Sequence, residues 1–457
     1  MQVNTPCRME MQPLLPSDVL IKIASWVQDH ATFFSFLAVL DHRGPLTTLW
    51  HLSQTYNPAD LWPKLRLSRY LLQSASRNQV EAVVKHASVV EVCCVEDIFG
   101  LCRLLRPSTT VQWHGIHLPI SDADTAPDDD VLVKWSEFPF TRLYLSLSKP
   151  ESPFFNVLPR CQSLIRLELS GYLDVAAIFD FAASASNLLE LEMTCWRHPI
   201  VTTSMLQHSI QWLKANPVRR FRFSSWTFDA AVDEVVRDAF YIALFQCPSL
   251  QELTLATCTL PNLELAFELP LPTKLRKLKF ASCTLAPLTL VRLGTAVRDS
   301  SVTALHLDDI YRSANSTSEA YEAAFERLAE SVVRSNVVTL ALQGCRLGLS
   351  NWSRLGPLLQ ETKSVKSLSL SRNGIGDEQC AKWLAQAIQA NATIRKLNLD
   401  DNYIRTNGAG MLINCNLHRC VPLEELVLSR NNIHSKEDKA HLNSMARKLG
   451  VLSFKVC

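Results

Sequence analysis

The chain has 457 residues, with 46 lysines and arginines against 44 aspartates and glutamates, a formal net charge of +2. That length holds roughly three average domains and buries a core without staples. The balanced charge offers no electrostatic grip on nucleic acid or an anionic membrane, so neither is expected as a partner.

Residues 1–12 read as a tail without the basic-then-apolar order of a signal peptide. No apolar run in the chain approaches the roughly 20 residues of a membrane span. These features imply a cytoplasmic and/or nuclear protein, in which the 14 cysteines stay reduced.

Then comes LLPSDVLIKIASWVQDHATFFSFLAVL, from Leu14 to Leu40. Pro16 with Ser17 and Asp18 predicts a helix start. Val19, Leu20, Ile23 and Val27 form one apolar stripe, and Phe33, Phe34, Leu37 and Leu40 a second. A polar, Pro-containing stretch leads to LWPKLRL, from Leu61 to Leu67.

This order resembles an F-box over residues 13–68, on Leu15, Pro16, Leu20, Ile23, Leu61, Trp62, Leu65 and Leu67. The resemblance implies docking on the Skp-type adaptor of a Skp–cullin–F-box ubiquitin ligase. Leu15, Pro16, Val19, Leu20 and Ile23 would supply that contact. The chain departs from the family after the second stripe, where a Val-Cys-Lys/Arg-x-Trp signature is missing and Asp41 to Asp60 is longer than the pattern. The same helices also suit a plainer role, because a repeat stack needs a cap over its first unit.

Residues 69–139 read as a linker with degenerate repeats, in which VVEVCCVED, from Val89 to Asp97, is a candidate strand. SDADTAPDDD, from Ser121 to Asp130, reads as a solvated loop, since its spacing fits no calcium-binding pattern. His114 and His117 lack a third metal ligand and read as partly buried histidines.

From Phe140 onward the pattern L-x-x-L-x-L recurs in about eleven units of about 28 residues. It reads SLIRLEL, NLLELEM, PVRRFRF, SLQELTL and KLRKLKF, then SVTALHL, NVVTLAL, SVKSLSL, TIRKLNL and PLEELVL. Residues two apart share a face of a strand, so Leu167 and Leu169 point inward while Arg166, Glu168 and Ser170 point out. The intervals have helical periodicity. Glu319 to Asn336 aligns Ala323, Leu328 and Val332, and Asp377 to Asn391 aligns Cys380, Trp383, Leu384 and Ile388.

Three residues past the last strand anchor, the chain reads Tyr172, Trp196, Trp226, Cys258, Cys283, Ile310, Cys345, Asn373, Asn402 and Asn431. A side chain turned inward there either satisfies backbone groups, as Asn does, or fills space, as Cys does. Cys161, Cys247 and Cys420 recur three residues before a first anchor. With no C-x-x-C pair, these cysteines read as structural. Trp196 and Trp226 read as core filler, or else as rim anchors for a ligand.

These units resemble leucine-rich repeats over 140–457. The middle ones are similar to the cysteine-containing subclass common in F-box proteins. The last three are similar to the ribonuclease-inhibitor subclass. The implied fold is α/β: a horseshoe solenoid with parallel strands on the concave face, helices on the convex face and a small helical F-box-like module before it.

The chain contains no G-x-x-x-x-G-K-[ST], H-E-x-x-H or G-x-S-x-G, so catalysis, a cofactor and a metal are all unexpected. Function then falls to the concave face. Its charged residues are Arg166, Glu168, Glu190, Glu192, Arg220, Arg222, Lys277 and Lys279. Their signs alternate along one column, which reads either as a self-neutralising ladder or as a patch for a protein partner. The resemblance implies a substrate-recognition subunit of the ligase, holding a protein of unknown identity on the repeats. A repeat scaffold with no ligase link is the alternative, and a small-GTPase regulator a third.

Overall fold

The computed structural model describes residues 17–40, 46–73, 77–85, 87–115, 129–149, 151–314, 316–347, 349–376 and 378–456. It divides into two compact units, Met1–Leu169 and Ser170–Cys457.

The first unit opens with the helices Ser17–Trp26, His30–Val39 and Thr47–Ser53 and the short turn Pro58–Leu61. Asp29 caps the second helix, its carboxylate accepting from the Thr32 amide at 2.7 Å. Trp62 ties these helices together. Its indole stacks on Phe33 at 4.0 Å, and its Nε1 donates to the Val27 carbonyl at 2.5 Å. Phe33, Leu37, Leu49, Leu52 and Leu61 are buried.

The next residues form the strand Leu65–Ser68, parallel to Val89–Cys93, which is parallel to Thr110–Gly115 and then to Phe140–Leu147. Leu65 and Leu67, grouped in sequence with the helical head, are therefore the first rung of a strand ladder. Three rungs precede Phe140 among the described residues. Burial alternates along the first two, with Val90 and Val92 inward and Val89, Glu91 and Cys93 partly exposed, whereas Val111, Gln112 and Trp113 on the third are all buried.

The second unit repeats one plan. The strands Glu190–Cys195, Arg220–Ser224, Glu252–Ala256, Lys277–Ala281, Ala304–Asp308 and Thr339–Gln343 pair in parallel, each in register with the next. Shorter strands follow at Ser367–Ser369, Lys396–Asn398, Glu425–Val427 and Ser453–Lys455. Helices link the rungs, among them Val175–Ser184, Thr203–Ala215, Glu234–Phe245, Pro287–Arg298, Ser318–Val333 and Glu378–Ala390. One interval, Leu263–Phe267, is a single 3-10 turn.

The core is the inward column of each strand against the linking helices. Phe221, Leu253, Leu278 and Leu305 stand side by side and fully buried. Each such side chain contributes roughly 1.5 to 3 kcal/mol of burial.

The strands from Arg220–Ser224 to Glu425–Val427 end on a tight turn that carries a left-handed residue, including Ser225, Thr257, Ser282, Asp309, Arg372, Asp401 and Arg430. Such a conformation costs on the order of 1 kcal/mol or more for a residue with a Cβ. The next side chain turns inward and holds it. Asn402 shows how: its Oδ1 accepts from the amides of Asn373 and Ile375, each at 3.0 Å, and its Nδ2 donates to the carbonyls of Leu370 and Leu399. Cys345 does less at the same place, its thiol donating to the Leu307 carbonyl at 3.3 Å.

Several residues depart from the pattern read in sequence. Ala323 is exposed and its neighbour Ala324 is buried, because adjacent alanines carry no phase for a helix face. Cys420 is exposed, unlike Cys161 and Cys247. His114 is exposed on its strand, and His117 lies outside the described residues.

Candidate protein-binding face

The solvent-facing side of the second unit's strands carries two adjacent columns. In one, Glu190, Arg220, Glu252 and Lys277 are register neighbours. In the other, Glu192, Arg222, Thr254, Lys279 and His306 follow one another. The alternation of sign read along the sequence becomes lateral contact, since in-register neighbours on one face lie about 5 Å apart.

Arg220 is the centre of the first column. Its guanidinium lies 3.4 Å from Glu190, 3.5 Å from Glu192 and 3.0 Å from Glu252. Lys277 reaches Glu252 at 3.9 Å. Arg166 and Glu168, at the end of the first unit, pair at 2.8 Å. Most of the charged set is thus engaged with itself.

Lys279 is held by Asp308, at 2.6 Å, and Asp308 is a residue that sequence reasoning missed. It ends the neighbouring strand, two residues past His306, and one of its oxygens is buried without a hydrogen bond. His306 is mostly buried beside this pair. Burial pushes its imidazole below the ordinary histidine range, the Asp308 carboxylate opposes that shift, and Lys279 and Lys277 add to it.

Arg222 differs from the rest. It is exposed, and it makes no ion pair among the described residues. The register places it beside Glu192, but Glu192 is only 9% exposed and turns to Arg220. At the strand ends lies an aromatic pair, Tyr172 and Trp196, edge to face at 5.8 Å, with the Arg197 guanidinium 4.9 Å above the tyrosine ring. Trp196 is 58% exposed, whereas Trp226, at the equivalent position, is buried and stacked on Phe223 at 3.7 Å.

Of the residues assigned to adaptor docking, Val19 and Ile23 are half-buried on the helix Ser17–Trp26. Leu20 is in the same helix, and Leu15 and Pro16 lie outside the described residues. Trp26 and Val39 are strongly exposed.

The cysteines behave as small apolar residues. Cys161 and Cys195 are buried, and burial pushes each thiol up to about 12. Burial also raises Cys258, which lies against Cys283. Among the described residues no group of three His, Cys, Asp or Glu side chains could hold a metal ion, and no helix is long and apolar enough to cross a membrane.

Stacked parallel strands with linking helices define a class of α/β repeat proteins that act through a surface. The chain carries leucine-rich repeats: the family model described as Leucine Rich repeat matches residues 363–378. Leucine-rich repeat-containing protein 45 of Gallus gallus is 37% identical over 79 residues, covering 17% of this chain. The match spans only 12% of that relative's length. An internalin C2 from Listeria monocytogenes is similar over 62% of this chain and 92% of its own, at 17% identity and a TM-score of 0.29. The leiomodin-1 actin-binding site 2 is similar over 29% of this chain and 78% of its own, at 20% identity and a TM-score of 0.26. Both scores are low, and the repeat assignment rests on the strand ladder and the family model.

Proposed function

We propose that the chain is a recognition protein that holds a protein partner on the solvent-facing strands of its second unit. The observation that carries this reading is Arg222, an exposed cation that makes no ion pair among the described residues while the charges around it from Glu190 to Lys279 pair with one another. Tyr172, Trp196 and Arg197 add residue types that dominate binding energy at protein interfaces. A partner presenting carboxylates beside an apolar group complements this set. Cross-linking mass spectrometry tests the reading. A captured partner is expected to link to Lys277 and Lys279 on the strands; links confined to helix lysines such as Lys214 would contradict it.

The resemblance of the head to an F-box extends the proposal: the helices dock on a Skp-type adaptor, and the chain presents its partner to a cullin ubiquitin ligase. Catalysis would then come from proximity and not from this chain. Binding of purified adaptor to the wild type, lost in Val19→Glu/Ile23→Glu, is the expected result. Absence of binding by the folded wild type would sink the ligase link alone. The head would then serve as a cap, a reading favoured by the way Trp62 and Leu61 carry the helices onto the first strand.

A further inference from the structure

The first unit contains a cavity of about 480 Å³, within the range of small-molecule sites. It is independent of the strand face proposed above. Its walls are aliphatic, from Leu46, Leu49, Leu61, Val83 and Val89, and one side is the indole of Trp62. That indole is fixed by its stack on Phe33 and its hydrogen bond to Val27, so this wall is preformed.

Lys64 is the charged residue of the lining. It is half-buried, and its ammonium rests 2.9 Å from the Oε1 of Gln112, a neutral amide. Among the described residues no carboxylate pairs with it. Its cationic neighbours differ: Arg66 holds Asp60 and Glu91, and Arg69 holds Glu96. A lining lysine whose ammonium is held, among the described residues, by a neutral amide alone can turn to meet an anion with an apolar body.

We propose that this cavity binds a medium-chain carboxylate, its hydrocarbon tail against the leucines and Trp62 and its carboxylate on Lys64. No covalent step is involved. Isothermal titration of the full chain with decanoate and with decan-1-ol tests it. Decanoate is expected to bind at one site, more tightly than the alcohol. Lys64→Gln is expected to weaken decanoate on the order of tenfold and leave the alcohol unchanged. Ala87→Phe, which places a ring in the half-exposed part of the lining, is expected to weaken both. Equal binding of acid and alcohol by the wild type, no binding of either, or decanoate affinity unaltered in a folded Lys64→Gln protein would each overturn the proposal. If Ala87→Phe loses its cooperative unfolding, the Lys64→Gln comparison decides alone.

Discussion

Asn402 and Cys283 occupy the same position in different repeats, and they are expected to differ in what their loss does. Asn402→Ala strips partners from the amides of Asn373 and Ile375 and the carbonyls of Leu370 and Leu399, all in a buried turn. The expected destabilisation is about 3 kcal/mol. Cys283→Ala removes one buried sulfur and a long thiol hydrogen bond at 3.4 Å to Leu255, for about 1 kcal/mol. Denaturant midpoints of the two variants measure the difference; equal losses would contradict the division between bonding and filling. His306 makes a second prediction at this scale. Its folded pKa lies below the unfolded value, so the unfolded state binds more protons as the pH falls. The stability it contributes is full above about pH 6.5 and is lost as the pH falls through the folded pKa. His306→Gln is expected to lose less stability than wild type between about pH 7.5 and 5, read from thermal unfolding; a steeper acid loss would contradict it.

Among the elements, the strands after Phe140 were legible because three apolar anchors recur at a near-constant interval, and the columns of outward charge followed from the same alternation. The rungs at Leu65–Ser68 and Val89–Cys93 were harder to read. Each shows two inward anchors, and the intervals between them hold short helices whose periodicity does not stand out. Beyond that charge ladder, contacts between rungs were not legible. Sequence places Trp196 and Trp226 at one position, yet Phe223 stacks on Trp226 while Trp196 faces solvent. Asp308 was missed because its partner, Lys279, comes from the preceding repeat. The helical head depends on one such contact, the Trp62–Phe33 stack. Trp62→Ala is expected to destabilise the head by about 3 kcal/mol or more. Hydrogen exchange should then accelerate in Ser17–Trp26 and His30–Val39 and stay unchanged in Lys277–Ala281. Unchanged exchange in the head would mean that the stack is not what holds it.

For the whole molecule, the repeats supply rigid spacing and the outward columns supply chemistry. From Glu190 to Lys279 the outward charges largely pair with one another, and in the proposed reading recognition falls to Arg222 and the Tyr172–Trp196 rim. Reversing Glu192 together with Arg222 would confound binding with folding, since Glu192 is buried against Arg220. Arg222 alone can be reversed without breaking an ion pair among the described residues. The most direct test is therefore quantitative affinity capture by the full chain, comparing wild type, Arg222→Glu and Glu330→Lys, the last an exposed reversal on the linking helix Ser318–Val333. The account predicts partners that Arg222→Glu loses and Glu330→Lys retains, with thermal unfolding unchanged in both. Partners that Arg222→Glu retains in full would place recognition elsewhere on the molecule.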